Sequence, residues 1–188
     1  MKRTDFLTLP ANLPQPTDDG ACDHLPGAAL PELVLAATDG TTVPLRERTA
    51  GPTVLFFYPR TGRPDESAPI GWNEIAGARG CTPQSCGFRD TYVEFQARGV
   101  AIYGVSTQST EYQQEFATRM HVPYALLSDE HFALTHALRL PTFEFASMRL
   151  LKRIAWYCEG SRIVQVFYPV FPPDQNAAEV LRWLVARE

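Results

Sequence analysis

Two stretches, "PTVLFFYP" at residues 52–59 and "GVAIYGVS" at 99–106, constrain the fold of this chain more than any others. Each is strand-sized and apolar almost throughout. That is how a strand covered on both faces reads, rather than one with a wet side. Between them Phe88, Tyr92 and Phe95 recur at i, i+4 and i+7, which gives one helix a buried face, and Gly99 ends it. A strand, a helix and a strand in that order pair in parallel through a right-handed crossover. The length of 188 residues is enough for one domain of this kind with a sizeable core, and too short for two ordinary ones.

The remaining segments fit around that unit. Residues 1–31 hold five prolines and few periodic apolar positions, and read as an extended N-terminal arm before a domain at 32–188. "ELVLAATDGTTVPL" predicts two short strands about the turn Asp39-Gly40. Residues 60–80 are rich in Gly and Pro without any period, a long loop of the kind that is functional or disordered. Thr82 is placed to cap the next helix, with Pro83 at its first position. Thr110 and Gln113 are spaced as a capping box for another helix, with Tyr112, Phe116 and Met120 on one face. "PYALLS" reads as a short strand and "EHFALTHAL" as a short helix. "KRIAWYC" and "RIVQVFYP" flank Glu159-Gly160-Ser161 as a hairpin. A last helix turns Ala177, Val180, Leu181, Leu184 and Val185 inward behind an Asp174 cap. The expectation is an α/β fold, a mixed sheet with helices on both faces.

Composition narrows the function classes. The chain is 45% hydrophobic and 20% charged with a net charge of −4, a mild acidic excess that gives no reason to expect nucleic acid or anionic membrane as a partner. No apolar run approaches a membrane span, and "MKRTDFLTLP" carries no apolar signal core. Four cysteines are too sparse for a disulfide scaffold, so a reducing cytoplasm is the expected setting, where close cysteines are more often catalytic or metal-binding than structural.

The cysteines that need explaining are Cys81 and Cys86 in "GCTPQSCGFRD". Cys81 immediately precedes the predicted helix, where free N–H groups and the positive end of the helix dipole favour a thiolate, the nucleophilic form. Five residues along a helix rise about 7.5 Å, and i and i+5 do not face each other. A disulfide needs Cα atoms within about 7 Å, so the pair joins only if the first turn unravels. Three readings remain open on chemistry alone. Cys86 is simply core, the pair is redox-active, or it belongs to a zinc site, for which His24, His121, His131 and His136 are too scattered.

Taken with "FFYP", the string "GCTPQSCGFRD" resembles the peroxiredoxins, in particular their Q-type, bacterioferritin-comigratory-protein-like class, over roughly residues 30–187. "GVAIYGVST", "YALLSD" and "KRIAWYC" look like later segments of that family. The resemblance implies a thioredoxin-like fold and a thiol peroxidase acting on hydrogen peroxide or organic hydroperoxides without a cofactor or metal. A thioredoxin or similar dithiol would re-reduce it, and the chain would be a monomer or weak homodimer. By the same resemblance Cys81 is peroxidatic, Cys86 resolving, and Arg153 the guanidinium beside the thiolate, with Pro59, Gly80 and Thr82 in support. One departure stands out. The family's Pro-x-x-x-Thr-x-x-Cys is absent, since Glu74 and Ala78 occupy the Pro and Thr positions. Matching Pro59 to the family's proline implies an insertion of about 15 residues before Cys81. Thr61 supplies the missing hydroxyl only if that loop folds back, and Trp72 and Ile75 are placed to form a lid over Cys81 that selects larger peroxides. Cys158, at an odd offset from Arg153, points to the other face of its strand, and Cys22 reads as incidental. Two other functions stay open, a thiol–disulfide oxidoreductase or redox sensor, and a non-catalytic thioredoxin-like binding module.

Overall fold

The apolar run at 53–57 occupies the middle of a seven-stranded sheet, where all five of its residues are buried. The structure, a computed structural model, describes residues 6–187, so residues 1–5 of the expected arm lie outside the described residues. In chain order the elements are β1 (Val34–Ala37), β2 (Thr42–Pro44), α1 (Leu45–Arg48), β3 (Thr53–Phe57), α2 (Cys81–Asp90), α3 (Tyr92–Ala97), β4 (Ala101–Ser106), α4 (Thr110–Arg119), β5 (Leu126–Ser128), α5 (Ala133–Ala137), β6 (Thr142–Phe145), β7 (Met148–Leu151), β8 (Ile154–Glu159), β9 (Arg162–Phe167) and α6 (Asn176–Val185). The sheet order is β2-β1-β5-β4-β3-β8-β9, with β3–β4 and β4–β5 parallel and the other pairs antiparallel. This is the mixed thioredoxin-like sheet expected from the sequence.

Strand alternation sorts the core into two layers. Val54, Phe56 and Tyr58, with Ala155 and Tyr157 of β8, face a layer completed by Cys81, Phe88, Phe95, Phe116 and the inner residues of α6. Leu55 and Phe57, with Ile154, Trp156 and Cys158, face a second layer that takes in Leu45, Leu134, Leu25 and Leu30. Cys158 therefore does point away from Cys81, as the odd offset required. Residues 6–28 form neither helix nor strand, yet Cys22 is 4% exposed and sits in the second layer, so it is a core thiol rather than an incidental one.

Several local expectations are corrected. The helix at 81 begins at Cys81 itself behind Gly80, which leaves Thr82 and Pro83 inside the first turn rather than at the cap. It breaks at Thr91 into α2 and α3, where the sequence predicts one helix. Ser109, not Thr110, caps α4, its hydroxyl accepting from the Tyr112 N–H. Gln113 turns inward instead, its amide serving Tyr58, Gln108 and Leu127. Asp174 lies in a 3-10 turn and caps nothing, and Val185 is half exposed. The β6–β7 hairpin went unanticipated because Ala146 and Ser147 take its left-handed turn, with φ of 46° and 66°, in place of the usual Gly or Asn.

Candidate active site

The site forms where three chain crossings meet at one end of the parallel strands. The first is the exit from β3. The Pro59 carbonyl accepts from the Ser106 hydroxyl at 3.1 Å, fixing the chain beside β4. Two residues on, the Gln108 side chain clasps Thr61, accepting from its N–H at 2.8 Å and donating to its carbonyl at 3.2 Å. Thr61 is thereby buried, and its hydroxyl donates to the same Gln108 oxygen at 3.2 Å.

The second crossing is the return of the 60–80 loop. Trp72 is buried against Phe143 and Phe145 of the β6–β7 hairpin, and Ile75 packs into the same small cluster. The loop then delivers Gly77, Ala78 and Arg79 to the end of β8 and enters α2 through Gly80. That residue has φ of +106°, and a methyl group on it would stand 2.6 Å from Pro173 and 2.9 Å from Leu9. Glycine is required there on both counts.

The third is the entry into β8. Arg153, 3% exposed, directs one guanidinium nitrogen at the carbonyls of Gly77, Ala78 and Arg79, each at 3.2 Å, and at Cys81 Sγ at 3.3 Å. Its other terminal nitrogen donates to Gln84 Oε1, whose amide in turn donates to Asn176 Oδ1 at 2.9 Å. A buried relay thus runs from α6 through Gln84 and Arg153 to the sulfur. Cys81 is 4% exposed at the first position of α2, where backbone N–H groups have no helical partner.

Cys81, Thr61, Gly80, Thr82, Trp72 and Phe6 line one cavity of about 20 Å³, room for about one water-sized molecule. Thr61, far from Cys81 in sequence, lines the same cavity, with its hydroxyl donating to Gln108. Trp72 lines the same cavity as Cys81, while Ile75 packs in the cluster behind Trp72 and not on the cavity wall. Pro59 is absent from the lining and acts on the backbone, through Ser106.

Cys86 lies half-buried within α2, and burial pushes its thiol up despite Arg89 nearby. Both thiols are free, on a helix that is wound through both positions. Tyr58, wholly buried beneath the site, keeps its proton well above the usual phenol range, by burial first and then by the nearness of Cys81. Among the described residues, no group of three or more His, Cys, Asp and Glu side chains is arranged to hold a metal. Gln84, Asn176 and Phe6 were not anticipated. Gln84 alone carried a signal, falling at i+3 from Cys81 and i−4 from Phe88, on their face of the helix.

Comparison with known proteins points the same way as the site. Residues 25–181 match the Redoxin family. Peroxiredoxin Q of the chloroplast of Sedum lineare is 30% identical over 159 residues, covering 84% of this chain and 76% of its own length. That of Gentiana triflora is 29% identical over 185 residues, covering 95% and 77%, while the rice proteins are longer, and the chain spans 65% of their length. Among solved structures, the peroxidoxin BcpB of Mycobacterium tuberculosis has the same fold, with a TM-score of 0.70 at 24% identity, covering 87% of this chain and 98% of its own. The bacterioferritin comigratory protein of Xanthomonas campestris gives 0.65 at 22%, covering 94% and 99%. The family match over most of the chain, with a relative at this identity on top of it, is decisive: the chain belongs to the Redoxin family, among the Q-type peroxiredoxins.

Proposed function

We propose that the chain is a thiol-dependent peroxidase in which Cys81 is the peroxidatic and Cys86 the resolving cysteine. The observation that carries this reading is the buried Arg153 guanidinium 3.3 Å from the buried Cys81 sulfur, with Cys81 itself lining a cavity of about 20 Å³. The Cys81 thiolate attacks one peroxide oxygen. The O–O bond breaks, its electron pair leaves with the alcohol or water, which takes up a proton, and the cysteine becomes a sulfenic acid. Arg153 faces the sulfur and is held by three carbonyls and Gln84 before any substrate arrives, so it stabilises the thiolate without reorganising. Thr61 lines the same cavity as Cys81.

Cys86 then condenses with the sulfenic acid, forming an S–S bond and releasing water, which protects Cys81 from irreversible oxidation. The pair is wound five residues apart, so this step follows the unwinding of the start of α2. A thioredoxin-type dithiol restores both thiols and leaves as its own disulfide. A coupled assay of peroxide consumption with thioredoxin and its reductase tests the assignment. Cys81→Ser abolishes turnover. Cys86→Ser abolishes turnover too but still yields a sulfenic acid at Cys81 that dimedone traps. Peroxide consumption by Cys81→Ser at the wild-type rate would overturn the assignment.

A further inference from the structure

The peroxide cavity is closed by a part of the chain far from it in sequence. Phe6 forms one of its walls beside Cys81, its ring lying so close on Gly62 that a methyl group there would stand 2.5 Å from Phe6 Cζ. The Arg79 guanidinium lies 5.1 Å from the centre of the same ring and donates to the Thr8 carbonyl at 3.4 Å. Leu9 rests against Gly80, where a methyl group would meet its Cδ2 at 2.9 Å. Farther along, Pro16 lies against Gly77, and Asp19 is held by Lys152 at 2.5 Å and by the Tyr168 hydroxyl at 2.7 Å. Beyond it, Cys22, Leu25 and Leu30 are buried in the core. The stretch from Phe6 to Asp19 is therefore a strap, fixed firmly at its far end and running along the segment that delivers Cys81 into α2.

We propose that Phe6 is a specificity-determining residue, a gate at the N-terminal end of this strap that admits hydrogen peroxide to Cys81 and hinders bulky organic hydroperoxides. The inference rests on the peroxidase reading above. The cavity is about 20 Å³ with the Phe6 ring as one wall, so one peroxide oxygen reaches Cys81 while a bulky substituent on the other meets the ring. Of the residues around the end of the strap, Arg79 and Gly80 belong to the segment entering α2, while Gly62 lies at the exit of β3. Drawing Cys81 toward Cys86 moves Arg79 away from the ring, so the gate is shut over the reduced thiol and loosened over the disulfide that the reductant must reach.

The test compares kcat/KM for hydrogen peroxide and cumene hydroperoxide in the wild type, Phe6→Ala and Gly62→Ala. Gly62 has no left-handed φ, so alanine there is free of backbone strain and acts by pushing the ring away. Both variants are expected to raise the ratio of cumene to hydrogen peroxide efficiency by about tenfold, the size of a pocket-shape effect on selectivity. An unchanged ratio in both overturns the gate. A second readout does not depend on turnover, the labelling rate of reduced Cys81 by a bulky maleimide relative to iodoacetamide. The variants are expected to raise that ratio as well, and equal ratios in all three proteins overturn the gate. A wild type that consumes no peroxide removes the peroxidase reading, while the labelling ratio still reports whether Phe6 covers the sulfur.

Discussion

Arg153 holds two things in place at once, the three carbonyls that bring the 60–80 loop to α2 and the sulfur of Cys81. A lysine keeps the charge but not the fork. Arg153→Lys is expected to lower kcat/KM for hydrogen peroxide about a hundredfold, in line with losing one preorganised donor. It is also expected to cost about 1–3 kcal/mol in a urea titration, since Gln84 and some of the carbonyls lose their buried partner. Thr61 separates the two effects. Thr61→Val preserves the shape and removes one weak hydrogen bond, so stability falls by about 1 kcal/mol or less while peroxide turnover falls about tenfold or more, and Thr61→Ser recovers it. The meeting of Cys81 and Arg153 was legible because a motif carries each within a short stretch of chain. Thr61 was legible only as a condition on how the loop folds. Phe6 and Asn176 were not legible, because nothing near them in sequence records what they meet.

The start of α2 must unwind for the thiols to join, and its packing sets how hard that is. Phe88 stacks on Phe56 with ring centres 4.4 Å apart, and the buried Tyr124 hydroxyl donates to the Ser85 carbonyl at 2.7 Å. Tyr124→Phe removes that tie and little else. It is expected to lower global stability by about 1 kcal/mol and to speed the step from sulfenic acid to disulfide up to about fivefold, measured by stopped-flow fluorescence. An unchanged resolution rate would mean that α2 opens by some route other than release of Ser85. The long elements were readable for physical reasons. β3 and β4 are apolar because both their faces are covered, and α6 carries its core face in its period. The element ends were less readable. Gly80 stands at the cap position two residues before the predicted Thr82 cap, and the β6–β7 turn uses residues that ordinarily avoid its backbone conformation.

Across the whole molecule the same burial that shapes the site fixes its response to alkali. Cys22 and Cys158 lie in one core layer, and desolvation pushes both thiols from an ordinary value near 9.0 to about 12. The native pKa lies above the unfolded one, so the unfolded chain releases these protons first. Their contribution to stability is full below about pH 9 and is lost as the pH climbs toward 12. Urea midpoints are expected to drop between neutral pH and about pH 10, and to drop less in a Cys22→Ala/Cys158→Ala double variant than in the wild type. The two-layer core also explains why the chemistry is confined. It turns Cys158 away from the site and burns no third thiol into it, leaving Cys86 as the partner that a local opening of α2 can bring to Cys81. The most direct test is therefore peptide mass spectrometry of the reduced protein after one equivalent of hydrogen peroxide, with hydrogen exchange followed across residues 81–90. The account predicts loss of two hydrogens, mapped to a Cys81–Cys86 disulfide, with faster exchange at the start of α2. Thiols still free, or a disulfide that forms while α2 keeps its full protection, would contradict it.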